Sequence, residues 1–206
     1  TPEELEAKEQ VRHTVLLPFK FSVDYGADNG ELSMLHIRPL YTFSSKHWNF
    51  INRPVIPIIE IDGIVGGRPE LPNPDAAADA KGLGDITYTV AMESRDLKPV
   101  TVALGAATSF PTASEDALGS GKWSAGPAIM ILTRQDAWSV IINARQIWSF
   151  AGDDERSEVN NLAIEPILTY RLTPKWYLIT DPINRANGEI SKNARWLVPL
   201  GGGAGY

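Results

Sequence analysis

The 206-residue sequence has no cysteine, no long apolar run and no excess of basic residues, and each absence excludes a class of protein. Without cysteine there is no disulfide, no thiolate metal site and no cysteine nucleophile. The longest apolar runs, such as residues 55–59 and 128–132, are far shorter than the roughly 20 residues of a transmembrane helix. The formal net charge is −6 and the charges are dispersed, so no basic stripe is available to bind nucleic acid.

Motifs for catalysis, cofactors and metals are also missing. The histidines His13, His36 and His47 lie far apart in the sequence, and neither HExxH nor GxSxG occurs. The acidic turn at residues 153–155 is compatible with Ca²⁺ or with lipopolysaccharide bridged through cations, although a solvated turn is the simpler explanation. We therefore expect no enzymatic activity, no cofactor and no bound metal. No secretion signal is visible, as expected of a mature form or of a cytoplasmic protein.

Apolar and polar residues alternate along most of the chain, which predicts β-strands with one apolar and one polar face. In the first strand, for example, Leu17, Phe19 and Phe21 share one face, whereas Lys20 and Ser22 share the other. Ten strands are predicted, at residues 14–25, 31–43, 48–61, 83–94, 99–109, 123–133, 138–149, 159–172, 176–183 and 194–202. They are preceded by a short helix, for which Thr1, Pro2 and Glu4 supply the start signals.

The connections between these strands alternate strictly between long and short. The long ones are residues 26–30, 62–82, 110–122, 150–158 and 184–193, and the short ones are 44–47, 95–98, 134–137 and 173–175. Outer-membrane barrels sort their connections in this way, with short periplasmic turns and longer outer loops. The sequence thus predicts a helical lead-in over residues 1–13 and an all-β, up-and-down antiparallel transmembrane β-barrel over residues 14–206.

Aromatic residues favour the two ends of the predicted strands, as in the girdles that flank the apolar band of a membrane barrel. The predicted girdles consist of Tyr25, Phe110, Trp123, Trp148 and Trp196 at the long-loop end, and Phe43, Trp48, Trp138, Tyr170, Trp176 and Tyr177 at the short-turn end. A soluble barrel would place its aromatic side chains in the middle of the strands. We therefore expect the apolar face to meet lipid and the long loops to face outside.

Charged residues on the opposite face are predicted to point into the lumen. They are Lys20, His36, Arg38, Glu60, Asp85, Glu93, Arg145, Glu165 and Arg171, together with Asn143. Hairpin register predicts that Arg145 lies opposite Glu165, that Lys20 lies opposite His36 with Arg38 diagonal to it, and that Glu60 faces Asp85.

Two interpretations of these charges remain open. They either fill the interior as structural ion pairs or line a pore that selects solutes by charge. The Arg145–Glu165 pair is expected to be structural because it neutralises itself. Lys20 and Arg38 are expected to attract anions, so that neutralising both would shift ion preference toward cations.

Several segments resemble a family of Gram-negative outer-membrane proteins. The motifs are IRPLYTFSSKHWNFINRPVIPIIEI at residues 37–61, GLGDI at 82–86, ALGSGKWSAGPA at 117–128, QIWSFAGD at 146–153 and WLVPLGGGAG at 196–205. The family, often labelled simply "transporter", is described as outer-membrane proteins of the meta pathway of phenol degradation. The resemblance implies a precursor with a signal peptide and a barrel of twelve strands. Members continue for about two more strands beyond the last motif, so either residues are missing after Tyr206, which we favour, or the barrel closes at ten strands.

The expected function is therefore an outer-membrane channel or transporter for passive uptake of small solutes, and the family name suggests hydrophobic or aromatic compounds. One alternative is a structural or adhesive barrel with an occluded lumen. Another is a soluble, lipocalin-like ligand-binding barrel. The expected partners are outer-membrane lipid, lipopolysaccharide and small-molecule solutes, and a homo-oligomer is compatible with the sequence.

Overall fold

The computed structural model describes residues 13–25, 30–63, 79–94, 100–189 and 196–206. Fifteen strands form a single sheet in which every pair is antiparallel. The strands are β1 (His13–Leu16), β2 (Phe19–Tyr25), β3 (Glu31–Ile37), β4 (Leu40–Ser44), β5 (Trp48–Asp62), β6 (Ala80–Leu83), β7 (Ile86–Ser94), β8 (Val100–Phe110), β9 (Lys122–Gln135), β10 (Trp138–Gly152), β11 (Asn160–Arg171), β12 (Tyr177–Thr180), β13 (Asn184–Asn187), β14 (Trp196–Leu197) and β15 (Gly203–Gly205). The predicted N-terminal helix lies outside the described residues.

The strands follow one another as a meander, so the predicted all-β antiparallel architecture is confirmed. Five interruptions appear: three divide the first, second and fourth predicted strands, and two separate β12 from β13 and β14 from β15, where β13 and β15 lie beyond the predicted ends of the ninth and tenth strands. Pro18, Pro39, Pro182 and Pro199 lie at four of these interruptions, where a residue without a backbone N–H cannot donate to the ladder. The predicted continuous tenth strand is wrong, because residues 198–202 are not in a strand.

Long and short connections alternate as predicted. The turn between β9 and β10 has only two residues, Asp136 and Ala137, and Asp136 adopts a positive φ of 52°. At the opposite end, residues 111–121 join β8 to β9 and residues 153–159 join β10 to β11. These two long connections of the described part of the chain therefore lie at the same end of the sheet.

The sheet curves strongly around one face, here called the inner face. Arg53 in β5 forms an ion pair with Glu165 in β11 although four strands separate them in the sheet. Lys20 in β2 likewise contacts Asp181, which directly follows β12. Within the described residues, however, no ladder joins β1 or β2 to β14 or β15, so the sheet is not closed.

Two glycines allow neighbouring backbones to approach closely on this curved sheet. A Cβ on Gly105 of β8 would lie 1.9 Å from the carbonyl oxygen of Val90. A Cβ on Gly126 of β9 would lie 2.0 Å from the carbonyl oxygen of Gln146. Any other residue would push the strands apart at these points, so glycine is required for the local bend.

The two faces of the sheet differ in chemistry. Large apolar side chains are exposed on the outer face, including Phe19 (61 %), Phe21 (67 %) and Leu104 (63 %). The inner face buries charged side chains together with a small apolar cluster of Leu32, Met34, Ile59, Ile61, Ala80 and Leu118. Among the described residues, no helix has the length and apolar character needed to cross a membrane.

Candidate functional site: a charged inner cluster and its cavity

A network of ion pairs, here called the inner cluster, crosses the space enclosed by the curved sheet. Its members are Lys20 from β2, Arg38 directly after β3, Arg53 from β5, Glu165 from β11 and Asp181 directly after β12. The alternation of side chains places Lys20, Arg53 and Glu165 on the inner face, and the ion pairs of Arg38 and Asp181 show that these two residues point to the same side. The cluster therefore joins the first strands of the sheet to the last ones through side chains alone.

Glu165 is the central acceptor of the inner cluster, and its side chain is only 3 % exposed. One carboxylate oxygen accepts from the guanidinium of Arg38. The other lies 2.5 Å from Nη2 of Arg53 and also accepts from Nδ2 of Asn143 at 3.2 Å. Three donors compensate the cost of burying this carboxylate, which would be prohibitive for an isolated charge.

Asp181 connects the remaining cations to the inner cluster. Its Oδ2 lies 3.1 Å from Nη1 of Arg38 and 3.4 Å from Nζ of Lys20, whose ammonium also donates to the Asp181 carbonyl. Lys20 and Arg38 thus have acidic partners. The expectation that these two cations have no acidic partner nearby is therefore wrong, whereas their effect on ion preference stays a prediction.

Arg145 occupies a different environment from the one predicted. In the β10–β11 ladder Glu165 lies opposite Asn143, and Arg145 lies opposite Ala163, so the predicted Arg145–Glu165 pair is wrong. The turn is centred one residue earlier than assumed, which moves the partner by two positions. Within the described part of the chain, Arg145 makes no ion pair or hydrogen bond.

His36 lies opposite Lys20, as the hairpin register predicts. Its side chain is buried, and Nδ1 has no hydrogen-bond partner among the described residues. The cations Lys20, Arg38 and Arg185 all lie close enough to act on it electrostatically. His36 therefore lies next to three cations in the enclosed space.

A cavity of about 310 Å³ lies beside the inner cluster, on the side of the long loops. His36, Arg145 and Arg185 line its inner part, and Asn161 and Asn187 add polar groups. Apolar side chains form much of the rest of the wall, among them Met34, Val55, Ile59, Leu118 and Ile147. A second cavity of about 280 Å³ lies between the first and last strands and shares Met34, His36 and Arg185 with the first.

Residues 111–121 fold over the mouth of the larger cavity, and this segment is called the inner loop. It contains a short 3₁₀ helix, Asp116–Leu118, whose Leu118 is buried in the apolar cluster of the inner face. Asp85 anchors the loop, because its carboxylate accepts from the backbone N–H of Thr112 (3.2 Å), Ala113 (3.3 Å) and Ser120 (2.6 Å). The loop therefore narrows the enclosed space at this end.

A second anchor lies on the neighbouring loop. The guanidinium of Arg156 donates to the carbonyl oxygens of Asp116, at 2.6 Å, and Gly119. Nearby, the buried ammonium of Lys122 lies 3.1 Å from the carboxylate of Glu158. Glu158 also accepts from the hydroxyl of Ser149, and these two donors hold the pKa of Glu158 below its usual range.

The other predicted inner residues are dispersed. Glu60 is exposed and forms an ion pair with Lys81 at 2.9 Å, so its predicted inward direction and its pairing with Asp85 are wrong. Glu93 accepts from Nδ2 of Asn49 at 2.6 Å, away from the inner cluster. Arg171 is exposed at the end of β11.

The predicted girdle residues lie at the ends of the strands. Seven of them are exposed, namely Trp48, Trp123, Trp138, Trp148, Trp176, Tyr177 and Trp196. Phe43, Phe110 and Tyr170 are half-buried. Two pairs pack ring against ring across neighbouring strands, Phe110–Trp123 at 5.5 Å and Trp138–Tyr170 at 4.5 Å between ring centroids. The side chain of Tyr25 lies outside the described residues.

Sequence analysis missed Arg53, Asp181 and Arg185. A signal for Arg53 was present, since the short turn before β5 fixes the register of that strand against β3. With His36 inside and Pro57 opposite it, every odd-numbered residue of β5 points inward, which includes Arg53 and excludes Glu60. Asp181 directly precedes Pro182, and Arg185 follows it by three residues. The strand is interrupted at Pro182, so the alternation of side chains does not predict which face these two residues occupy.

Within the described residues, no group of three or more His, Cys, Asp or Glu side chains is arranged to hold a metal ion. No family model matches the chain, and no curated protein matches it either.

Proposed function

We propose that the protein is a transmembrane β-barrel of the bacterial outer membrane that forms a passive channel for small solutes. The observation that carries the proposal is that polar and apolar side chains are distributed in the opposite way from those of a protein folded in water. Ion pairs are buried on the inner face, whereas large apolar side chains are exposed on the outer one. A protein folded in water buries its apolar side chains and seldom exposes a large apolar patch.

The middle of the strands supplies the strongest support for contact with lipid. Phe21 in β2, Val90 in β7 and Leu104 in β8 are exposed away from the strand ends, where a soluble barrel would have polar residues. A lipid-facing surface requires this arrangement, with apolar residues outside and polar residues inside along each strand. The same pattern argues against a lipocalin-like barrel, whose apolar face would point inward.

The ends of the strands support the same proposal. Exposed tryptophans lie at both levels, such as Trp138 beside a two-residue turn and Trp148 near a long loop. Indole rings favour the headgroup level because one part is apolar and the other donates a hydrogen bond. Closure of the barrel is part of the proposal, because unpaired strand edges are not tolerated in lipid.

The enclosed space supports a solute path. Two cavities of about 310 and 280 Å³ meet at His36, Arg185 and Met34. The resemblance to the "transporter" family agrees with this interpretation.

One observation favours a second candidate, a structural barrel with an occluded lumen. The Arg38–Glu165–Arg53 ion pairs cross the enclosed space, and the inner loop narrows its mouth. An occluded barrel would share the membrane location but conduct no ions.

Extraction and conductance test the proposal in two steps. The protein should require detergent for extraction from membranes and should migrate differently in gels before and after boiling. In planar lipid bilayers it should produce single-channel currents. Currents would favour the channel, a membrane-embedded protein without currents would favour the occluded barrel, and extraction without detergent would contradict both.

A further inference from the structure

The larger cavity presents a cationic group that no carboxylate of the described residues contacts directly. Arg145 projects from β10 between Ala128 of β9 and Ala163 of β11, whose methyl side chains offer no hydrogen-bond acceptor. The carboxylate of Glu165 is already engaged by Arg38, Arg53 and Asn143. A guanidinium has five N–H donors and remains charged at any physiological pH, so an anion is its natural partner.

The surrounding charge reinforces this preference at the inner part of the cavity. Among the described residues, four cations, Lys20, Arg38, Arg53 and Arg145, lie in or next to the inner cluster, against two carboxylates, Glu165 and Asp181. Cavities lined by an excess of one sign raise the local concentration of the opposite charge.

Three more carboxylates line the outer part of the same cavity, but each is engaged by protein donors. Asp85 binds the inner loop, Glu158 binds Lys122, and Glu189 accepts from Nδ2 of Asn160 at 3.3 Å. Since these carboxylates lie in the outer part of the cavity, an anion would bind in the inner part, beside Arg145.

The residues that line the cavity indicate the chemistry of the rest of the ligand. Val55, Ile59 and Ile147 form apolar surface close to Arg145 in the same cavity. Buried Nδ1 of His36 and Oδ1 of Asn161 lack hydrogen-bond partners among the described residues, so two further polar groups are available. An apolar pocket with a few convergent polar groups is typical of a small-molecule site.

We propose that the cavity binds a small organic carboxylate, with its carboxylate on Arg145 and its apolar body against Val55, Ile59 and Ile147. The inference rests on the proposed function, because it takes this carboxylate to be the class of solute that the channel selects. Binding itself does not require conduction, so the two can be tested separately.

Isothermal titration of the detergent-solubilised, folded protein tests the site, with butyrate as the probe and 1-butanol and formate as its matched analogues. Butyrate should bind, 1-butanol should bind at least ~10-fold more weakly because it carries no charge, and formate should bind more weakly because it has no apolar body. Equal binding of butyrate and 1-butanol would overturn the proposal, and so would the absence of butyrate binding.

Substitutions of Arg145 test whether this residue binds the carboxylate. Arg145→Gln should weaken butyrate binding at least ~10-fold, whereas Arg145→Lys should retain part of it because the charge remains. Arg171→Gln removes an exposed arginine outside the cavity and should leave binding unchanged. Circular dichroism and the gel shift on boiling establish that each variant is folded. Unchanged butyrate binding in folded Arg145→Gln would place the anion elsewhere and refute the assignment.

Conductance separates this inference from the function on which it rests. Currents that persist without any effect of butyrate, together with no butyrate binding, would leave the channel standing and exclude the carboxylate. Butyrate binding without any current would support the site and contradict the channel.

Discussion

Glu165 is the residue on which the inner cluster depends, because its carboxylate joins β11 to side chains from β5 and from the segment after β3. Replacing it by glutamine would leave the buried Arg53 without its carboxylate partner and would leave Arg38 with Asp181 alone. Removal of one partner from a buried ion pair typically costs ~3–5 kcal/mol. We therefore expect Glu165→Gln to lower the free energy of unfolding by about this amount, measured by urea unfolding in lipid vesicles.

Glu60→Gln is the matched control for this prediction. Its ion pair with Lys81 is exposed on both sides, and such pairs contribute about 0–1 kcal/mol. If both substitutions had equally small effects, the inner cluster would not hold the sheet together.

The hydrogen bond and the ion pair of Glu158 predict that the free energy of unfolding depends on pH. Because the Ser149 hydroxyl and the Lys122 ammonium lower the pKa of Glu158 in the folded state, ionised Glu158 favours folding. That contribution is present above the ordinary pKa of a glutamate and is lost as pH falls through the lowered folded value. The difference in unfolding free energy between wild type and Glu158→Gln should therefore be largest near neutral pH and disappear in acid.

The size of this effect is limited by solvent, since the Glu158 side chain is 65 % exposed. A difference that grows toward low pH would have the wrong sign and would contradict the hydrogen-bonding arrangement at the end of β10.

The inner loop is the element whose position decides how open the enclosed space is. Asp85→Asn replaces one carboxylate oxygen with an NH₂ group, which would face either the N–H groups of Thr112 and Ala113, now bonded to Oδ1, or that of Ser120, now bonded to Oδ2. We expect these amides to exchange hydrogen for deuterium at least ~10-fold faster, since one or more bonds of ~1.5–3 kcal/mol to a charged acceptor are lost. Single-channel conductance should rise as the loop loosens.

Asp116→Asn serves as the control in the same loop, because the Asp116 carboxylate is fully exposed and lies 3.7 Å from Arg156. Equal exchange rates in wild type and Asp85→Asn would mean that Leu118, not Asp85, holds the loop in place.

The close approach of β7 and β8 at Gly105 predicts that even a methyl group at this position would destabilise the protein. Gly105→Ala would place a methyl group 1.9 Å from the Val90 carbonyl oxygen, where only movement of the backbone could relieve the clash. Overpacking of this kind costs ~1–3 kcal/mol and should lower the urea midpoint. Gly201→Ala is the control, since no atom lies within 4 Å of a Cβ at that position. Similar midpoints for both variants would contradict the close approach of β7 and β8.

Particular residues show how far the sequence alone leads at this scale. Period-2 alternation and turn lengths predict the meander, because each depends only on neighbouring residues. The pairing of Lys20 with His36 follows from the five-residue connection at residues 26–30 and agrees with the structure. Arg145 and Glu165 are separated by a longer loop, so an error of one residue in its centre gave the wrong partner. Contacts such as Arg53–Glu165 depend on the curvature of the whole sheet, which no local pattern encodes.

At the scale of the whole molecule, the central claim is that the outer face of the sheet meets lipid and the inner face does not. The absence of cysteine makes this claim directly testable, because a single introduced cysteine can carry a spin label without background. Strand β7 is well suited, since Tyr88, Val90 and Met92 are exposed on its outer face and Thr87 and Thr89 lie on the inner one.

The decisive measurement is therefore the accessibility of spin labels at positions 87 to 92 to oxygen and to a water-soluble nickel chelate, in protein reconstituted into lipid vesicles. The account predicts a period of two, with labels at Tyr88, Val90 and Met92 reached by oxygen and shielded from the chelate, and labels at Thr87 and Thr89 shielded from lipid-dissolved oxygen. Free access of the chelate to the outer positions would show that this face meets water and would contradict the membrane barrel.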